Sequence, residues 1–136
     1  MLFRSYFTIA TTGNAVDFGD LSTDGFSAGS FASPVRGIFA GLGNNPLLLG
    51  NTIDYITIST TGNAQDFGDL IQARNYLSGT SNSVRGFFTQ GSTPTYVNTC
   101  EFVTIASTGN AQDFGDFVNA TYTYDNAGSD SHGGLS

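Results

Sequence analysis

The sequence has no lysine and no tryptophan, and a single cysteine and a single histidine among its 136 residues. Each scarcity removes a class of function. Without lysine, the only basic side chains are Arg4, Arg36, Arg74 and Arg85, set against eleven acidic residues for a net charge of -7. That charge repels phosphate backbones and argues against a nucleic-acid partner. One cysteine, Cys100, excludes an internal disulfide framework, and with His132 as the lone histidine there is no Cys/His set for zinc. Cys100 reads as a small half-buried strand residue, with an intermolecular disulfide as the alternative. Apolar runs of roughly 18 residues are missing, and Met1-Leu2-Phe3-Arg4 does not open a signal-type apolar segment, so neither a membrane span nor a Sec-type leader is expected. No stretch carries a 3.6-residue apolar period between helix caps, which leaves β-structure as the expected class.

What is present is repetition. Tyr6 to Leu21 reads YFTIATTGNAVDFGDL, Tyr55 to Leu70 reads YITISTTGNAQDFGDL, and Phe102 to Phe117 reads FVTIASTGNAQDFGDF. The starts, 6, 55 and 102, are 49 and 47 residues apart. A second block keeps the period, with Val35-Arg36-Gly37-Ile38-Phe39 matching Val84-Arg85-Gly86-Phe87-Phe88, and Gly133 holding the register in the third copy. The repeats fall at about 1–49, 50–96 and 97–136, the last with an incomplete final strand. Each reads as four short strands. In the second copy these are 53–60, rich in β-branched and aromatic residues with Ile53, Tyr55, Thr57 and Ser59 on one face and Asp54, Ile56, Ile58 and Thr60 on the other, 65–70 around Phe67, 75–80, and 84–90, with a loop over 91–94. Thr61-Gly62-Asn63-Ala64 supplies the turn chemistry between the first two.

A period near 50 residues with four strands is the size of a propeller blade. The order of strands and the Ala73-Arg74 step resemble a kelch-like blade, and the phrase TGNAxDFGDL resembles kelch-type repeats in predicted structural proteins of tailed phages that infect marine bacteria, cyanophages especially. The likeness spans nearly the whole chain, with two departures. The kelch glycine pair is replaced by Ala40-Gly41-Leu42-Gly43 and Thr89-Gln90-Gly91, and Phe18, Phe67 and Phe114 stand where the family has tryptophan. The resemblance implies an all-β fold of three four-stranded antiparallel blades, with Phe18, Phe67, Phe114, Gly37 and Gly86 in the repeat core. Closed propellers have about four to eight blades, so three leave exposed faces. Neighbouring chains are expected to complete the ring, two copies making six blades. A head-to-tail filament and a fragment of a longer propeller are the alternatives.

The resemblance further implies a non-enzymatic virion structural protein, a tail fibre or capsid decoration, engaged in assembly and host-surface contact alongside other virion proteins. A surface with only 11% charged residues suits a virion or extracellular setting. The alternatives are a carbohydrate-binding propeller module, in which Tyr76, Tyr96, Tyr122 and Tyr124 stack on a host-surface glycan, and a subunit of an extracellular filament.

No catalytic residue, cofactor or metal is expected. The recurring Asp-Phe-Gly only superficially matches a kinase magnesium motif, since a chain without lysine cannot supply the rest of that site. His132 sits in a Gly- and Ser-rich tail, away from any candidate nucleophile. Asp17 with Asp20, Asp66 with Asp69, and Asp113 with Asp116, each preceded by Asn14, Asn63 or Asn110, offer oxygens that calcium could use. The competing reading is that these side chains cap local turns. Arg36 and Arg85 recur in register and could bind an anion, or each could pair with a repeat aspartate.

Overall fold

The computed structural model of the protein describes residues 3–24, 28–43 and 49–120, and every regular element among them is a β-strand. The first phrase forms a hairpin of β1 (Phe3–Tyr6) and β2 (Val16–Asp20), here sheet A. Sheet B is a four-stranded antiparallel meander of β3 (Gly29–Ala32), β4 (Arg36–Ala40), β5 (Thr52–Thr57) and β6 (Gln65–Asp69). Sheet C repeats it with β7 (Ser78–Ser81), β8 (Arg85–Thr89), β11 (Thr99–Thr104) and β12 (Gln112–Asp116). Between β8 and β11, a loop was expected over 91–94. Instead, β9 (Ser92–Thr93) and β10 (Thr95–Tyr96) form a small hairpin, tied down by an Asn75–Ser92 bridge.

The all-β class and the antiparallel pairing match the expectation, but of three expected four-stranded sheets the described residues form two, sheet A being a two-stranded hairpin, and the four-stranded sheets are out of phase with the repeats. Each takes two strands from one repeat and two from the next: β4 pairs with β5 from Arg36↔Thr57 to Ala40↔Ile53, and β8 pairs with β11 from Arg85↔Thr104 to Thr89↔Cys100. The cause lies in the apolar faces. Ile38, Ala40 and Ile53 are completely buried in sheet B, and Phe88 and Val103 take the same part in sheet C. Pairing across the repeat boundary therefore brings the two most apolar strands of each sheet to its centre.

One irregularity recurs in sheets A, B and C. The register slips between Arg4 and Ser5, between Ile53 and Asp54, and between Cys100 and Glu101, so that Phe18, Phe67 and Phe114 have no residue opposite them. This is a β-bulge, an extra residue that twists the strand and re-aims a side chain. The glycine that follows sits at φ +142°, +148° and +133° at positions 19, 68 and 115, where a side chain would be strained. The Asp-Phe-Gly-Asp sequence is thus the local code for a bulge. Each bulged phenylalanine meets the ring at the start of its own phrase edge-to-face: Tyr6–Phe18 and Tyr55–Phe67 at 5.9 Å, and Phe102–Phe114 at 6.1 Å.

Sheets B and C pack through β3 against β7 and β8. The Phe31 and Phe88 rings lie 4.7 Å apart. Gly86 leaves room for this approach, because a methyl group there would run into the Phe31 ring.

Candidate functional site

The feature that the three phrases build together is a seam between successive sheets. Gly62 N–H donates to Phe18 O at 2.7 Å, and Ala64 N–H donates to Asp20 O at 2.8 Å. Between them the Asn63 side chain accepts the Asp20 N–H at 3.1 Å. The next seam repeats all three bonds: Gly109 to Phe67 O at 2.7 Å, Ala111 to Asp69 O at 2.8 Å, and Asp69 N–H to Asn110 Oδ1 at 3.1 Å. The Gly-Asn-Ala loop of one phrase therefore works as a short strand added to the edge formed by Phe-Gly-Asp of the phrase before. Glycine serves at both ends of this contact. A Cβ at Gly19 or Gly68 would collide with the carbonyl of Gly62 or Gly109.

A second row of contacts crosses each seam deeper in the structure. Asp54, fully buried in β5, accepts the Ser22 N–H at 2.9 Å and the Ser22 hydroxyl at 2.7 and 2.8 Å. Glu101, its equivalent in β11 and likewise fully buried, accepts the Ile71 N–H at 2.9 Å. Its other oxygen faces Arg74 Nη1 at 2.6 Å, an ion pair with both side chains out of solvent. Arg74 has no acceptor at hydrogen-bond geometry among the described residues. Burial pushes its pKa down, partly opposed by the Glu101 charge. Beside them, burial raises the Cys100 thiol above its ordinary value, with the Arg74 charge acting in the opposite direction. Cys100, expected as a half-buried strand residue, lies in β11 but is buried, 9% exposed.

The repeat aspartates are not gathered into an ion cage: among the described residues no three His, Cys, Asp or Glu side chains converge. Local capping occurs at one of them, where Asp113 Oδ1 accepts the Gly115 N–H at 3.2 Å. The asparagines, read as local turn-makers, instead bond across the seam to residues 43 and 41 positions away. The arginines also depart from the expected aspartate pairing. Arg36 reaches from sheet B to donate to Ile105 O, in the turn just after β11 of sheet C, at 2.8 Å and lies 4.6 Å over the Tyr55 ring. Arg85 lies 4.8 Å over the Phe102 ring.

Of the phenylalanines assigned to the repeat core, Phe67 is 2% exposed, Phe18 is half-buried, and Phe114 is 58% exposed. Gly37 and Gly86 are the second residues of β4 and β8, both buried. Of the candidate ligand tyrosines, Tyr96 is exposed on β10, and Tyr76 is half-buried with φ +57°. Tyr122, Tyr124, His132 and the third-repeat glycine Gly133 lie outside the described residues.

Two equivalent shallow clefts sit over the phrase hairpins. One, of about 230 Å³, is lined by Tyr55, Thr57 and Thr60–Asn63 with Gln65; the other, of about 120 Å³, by Phe102–Thr104, Ser107–Asn110 and Gln112. Tyr55 donates its hydroxyl proton to Gln65 Oε1 at 2.6 Å across the first.

The seam acids were not singled out as site residues from the sequence. The available signal was an acidic residue at the same place, 54 and 101, inside two otherwise apolar strands. Against known proteins, the chain matches no family model and no curated protein.

Proposed function

We propose that the chain is a non-enzymatic structural protein of a phage virion, a tail fibre or capsid decoration, that assembles with copies of itself and with other virion proteins and contacts the host surface. One observation carries the assembly part: the phrase recurs because each copy is both the loop that docks and the edge that receives, as at Gly62–Ala64 on Phe18–Asp20 and at Gly109–Ala111 on Phe67–Asp69. Consecutive four-stranded antiparallel meanders packed face to face suit kelch-like blades, and two chains together would carry four of them and two copies of the β1–β2 hairpin. The placement on a virion rests on the resemblance of the TGNAxDFGDL phrase and on the sparsely charged surface composition.

Gold-labelled antibodies against the chain, applied to purified tailed-phage particles that encode it, should decorate the tail or the capsid. Labelling confined to infected-cell debris would reject a virion role.

A second reading is favoured by the two equivalent polar clefts, each with an aromatic wall, which suit stacking on a sugar ring. A glycan array probed with the purified chain separates it from a purely architectural role.

A further inference from the structure

The seam has a docking half and a receiving half, and the chain contains three of each. Two of each meet within the molecule. Within these 136 residues, no phrase precedes the loop Gly13-Asn14-Ala15 and none follows the edge Phe114-Gly115-Asp116. These two unmatched halves have the same residues as the matched ones: Thr-Gly-Asn-Ala in all three loops and Asp-Phe-Gly-Asp in all three edges.

The receiving edge is built to the same shape whether or not it is covered. Gly115 holds φ +133°, close to +142° at Gly19 and +148° at Gly68. Yet no described residue lies within 4 Å of its Cβ position, where the other two meet a glycine carbonyl. Among the described residues nothing covers its apolar flank. Phe67 is 2% and Leu70 3% exposed under their seam, but Phe114 and Phe117 at the same places are 58% and 43% exposed.

A separate contact points the same way. Arg36 of sheet B donates to the carbonyl of Ile105, just after β11 of the following sheet, and Ile105 is 2% exposed. The equivalent arginine of sheet C is Arg85, and the equivalent isoleucine of sheet A is Ile9, which is 97% exposed. Thus sheet C has the receiving edge and the arginine for a following sheet, and sheet A has the loop and the isoleucine of one that follows.

We propose that the face of sheet C bearing Phe114–Phe117 binds sheet A of a second copy of this chain, head to tail. Gly13 and Ala15 of that copy donate their N–H groups to Phe114 O and Asp116 O, its Asn14 side chain accepts the Asp116 N–H, and its Ile9 seats beside Arg85. The occupant is a second copy because the chain already makes this contact with itself twice, using the same residues. The interface is heterologous, so it repeats until the rotation per copy closes a ring or, where it does not close, builds a filament. The inference rests on the assembly reading above and adds to it the residues of the joint.

The experiment uses the full chain and two variants. Ile9→Asp blocks the loop side and Phe117→Asp blocks the edge side. Sedimentation velocity across a concentration series should give two-chain or longer species for the unaltered chain and single chains for each variant. An equal mixture of the two variants should restore a species of two chains, because one intact loop and one intact edge remain between them. Ile9→Ser and Phe117→Ser, milder at the same places, should show the same loss and the same rescue, with circular dichroism matching the unaltered chain.

The docking is overturned if the unaltered chain stays a single chain throughout, as it would if residues 121–136 of the same chain covered the edge. It is equally overturned if folded variants associate as the unaltered chain does, or if the mixture fails to pair. Each of these results leaves the particle-labelling result untouched, so failure of the joint and failure of the virion reading are told apart.

Discussion

Asn110 Oδ1 accepts the backbone N–H of Asp69 at 3.1 Å, and this one side chain fills the gap between two backbone bonds, Gly109 to Phe67 and Ala111 to Asp69. It completes a ladder that a three-residue loop could not make with backbone alone. Because Asn63 does the same for Asp20, the asparagine of the phrase is a structural element of the seam.

Replacing Asn110 with alanine should therefore cost stability while leaving the hairpin that bears it intact. The bond is exposed, so the loss should be about 0.5–1.5 kcal/mol, the usual net value of one hydrogen bond. Asn14→Ala, at the loop with no seam within the molecule, should cost nothing in a dilute single chain. Urea titrations of the two variants side by side make the comparison. Equal losses would mean that asparagine acts within its own turn.

Which parts of this were legible in the sequence depends on how local the cause was. Strand β5 could be read because Ile53 to Thr57 carries β-branched and aromatic residues, and those preferences act residue by residue. The pairing of β4 with β5 across the repeat boundary could not, because a repeat read linearly has no mark saying which neighbouring strands share a sheet. Asp54 was hidden for another reason. In a regular strand, consecutive side chains point to opposite faces, so Ile53 inward implies Asp54 outward. Strand β5 keeps that alternation, pairing residue for residue with β4, and both side chains are nonetheless fully buried because the Asp54 face is covered in turn, by Ser22. Glu101 is placed likewise in β11, with the Ile71 N–H over it. The asparagine-to-edge bonds span more than 40 residues, and nothing local to the loop specifies them.

The buried pair of Arg74 and Glu101 supports a second prediction. Removing one partner strands the other charge without solvent, which costs about 3–5 kcal/mol. Arg74→Leu alone should lose roughly that much. Adding Glu101→Gln should recover much of it, since the amide oxygen still accepts the Ile71 N–H and no buried charge remains. A double-mutant cycle by chemical denaturation reads the coupling. Additive losses would show that the two side chains do not act as a pair.

Cys100 sets a pH dependence. Burial raises its thiol above the ordinary 9.0, so the folded chain holds the proton where the unfolded chain has begun to release it. Its contribution is therefore fully present below about pH 9 and is lost as pH rises through the folded value. Unfolding free energy measured from pH 8 to pH 11 should fall more steeply for the unaltered chain than for Cys100→Ala, which shares its tyrosines and arginines but has no thiol. Parallel slopes would overturn the assignment. The same burial should slow thiol reagents at pH 8 until the chain is unfolded in urea.

The contact of Phe31 with Gly86 decides how firmly sheets B and C are held. Gly86→Ala places a methyl against the Phe31 ring, and Phe31 is itself backed by Phe88 at 4.7 Å, so it has little room to withdraw. Overpacking of this kind costs about 1–3 kcal/mol. Phe31→Ala removes a buried ring and should cost about 3–5 kcal/mol. The two changes should not add: with the ring gone, the methyl at 86 enters vacated space, and the double variant should be no less stable than Phe31→Ala alone. Denaturant unfolding of the four chains tests this. Simple additivity would mean that the glycine is required by the β8 backbone and not by the ring of the neighbouring sheet, and that the sheets meet elsewhere than through these two residues.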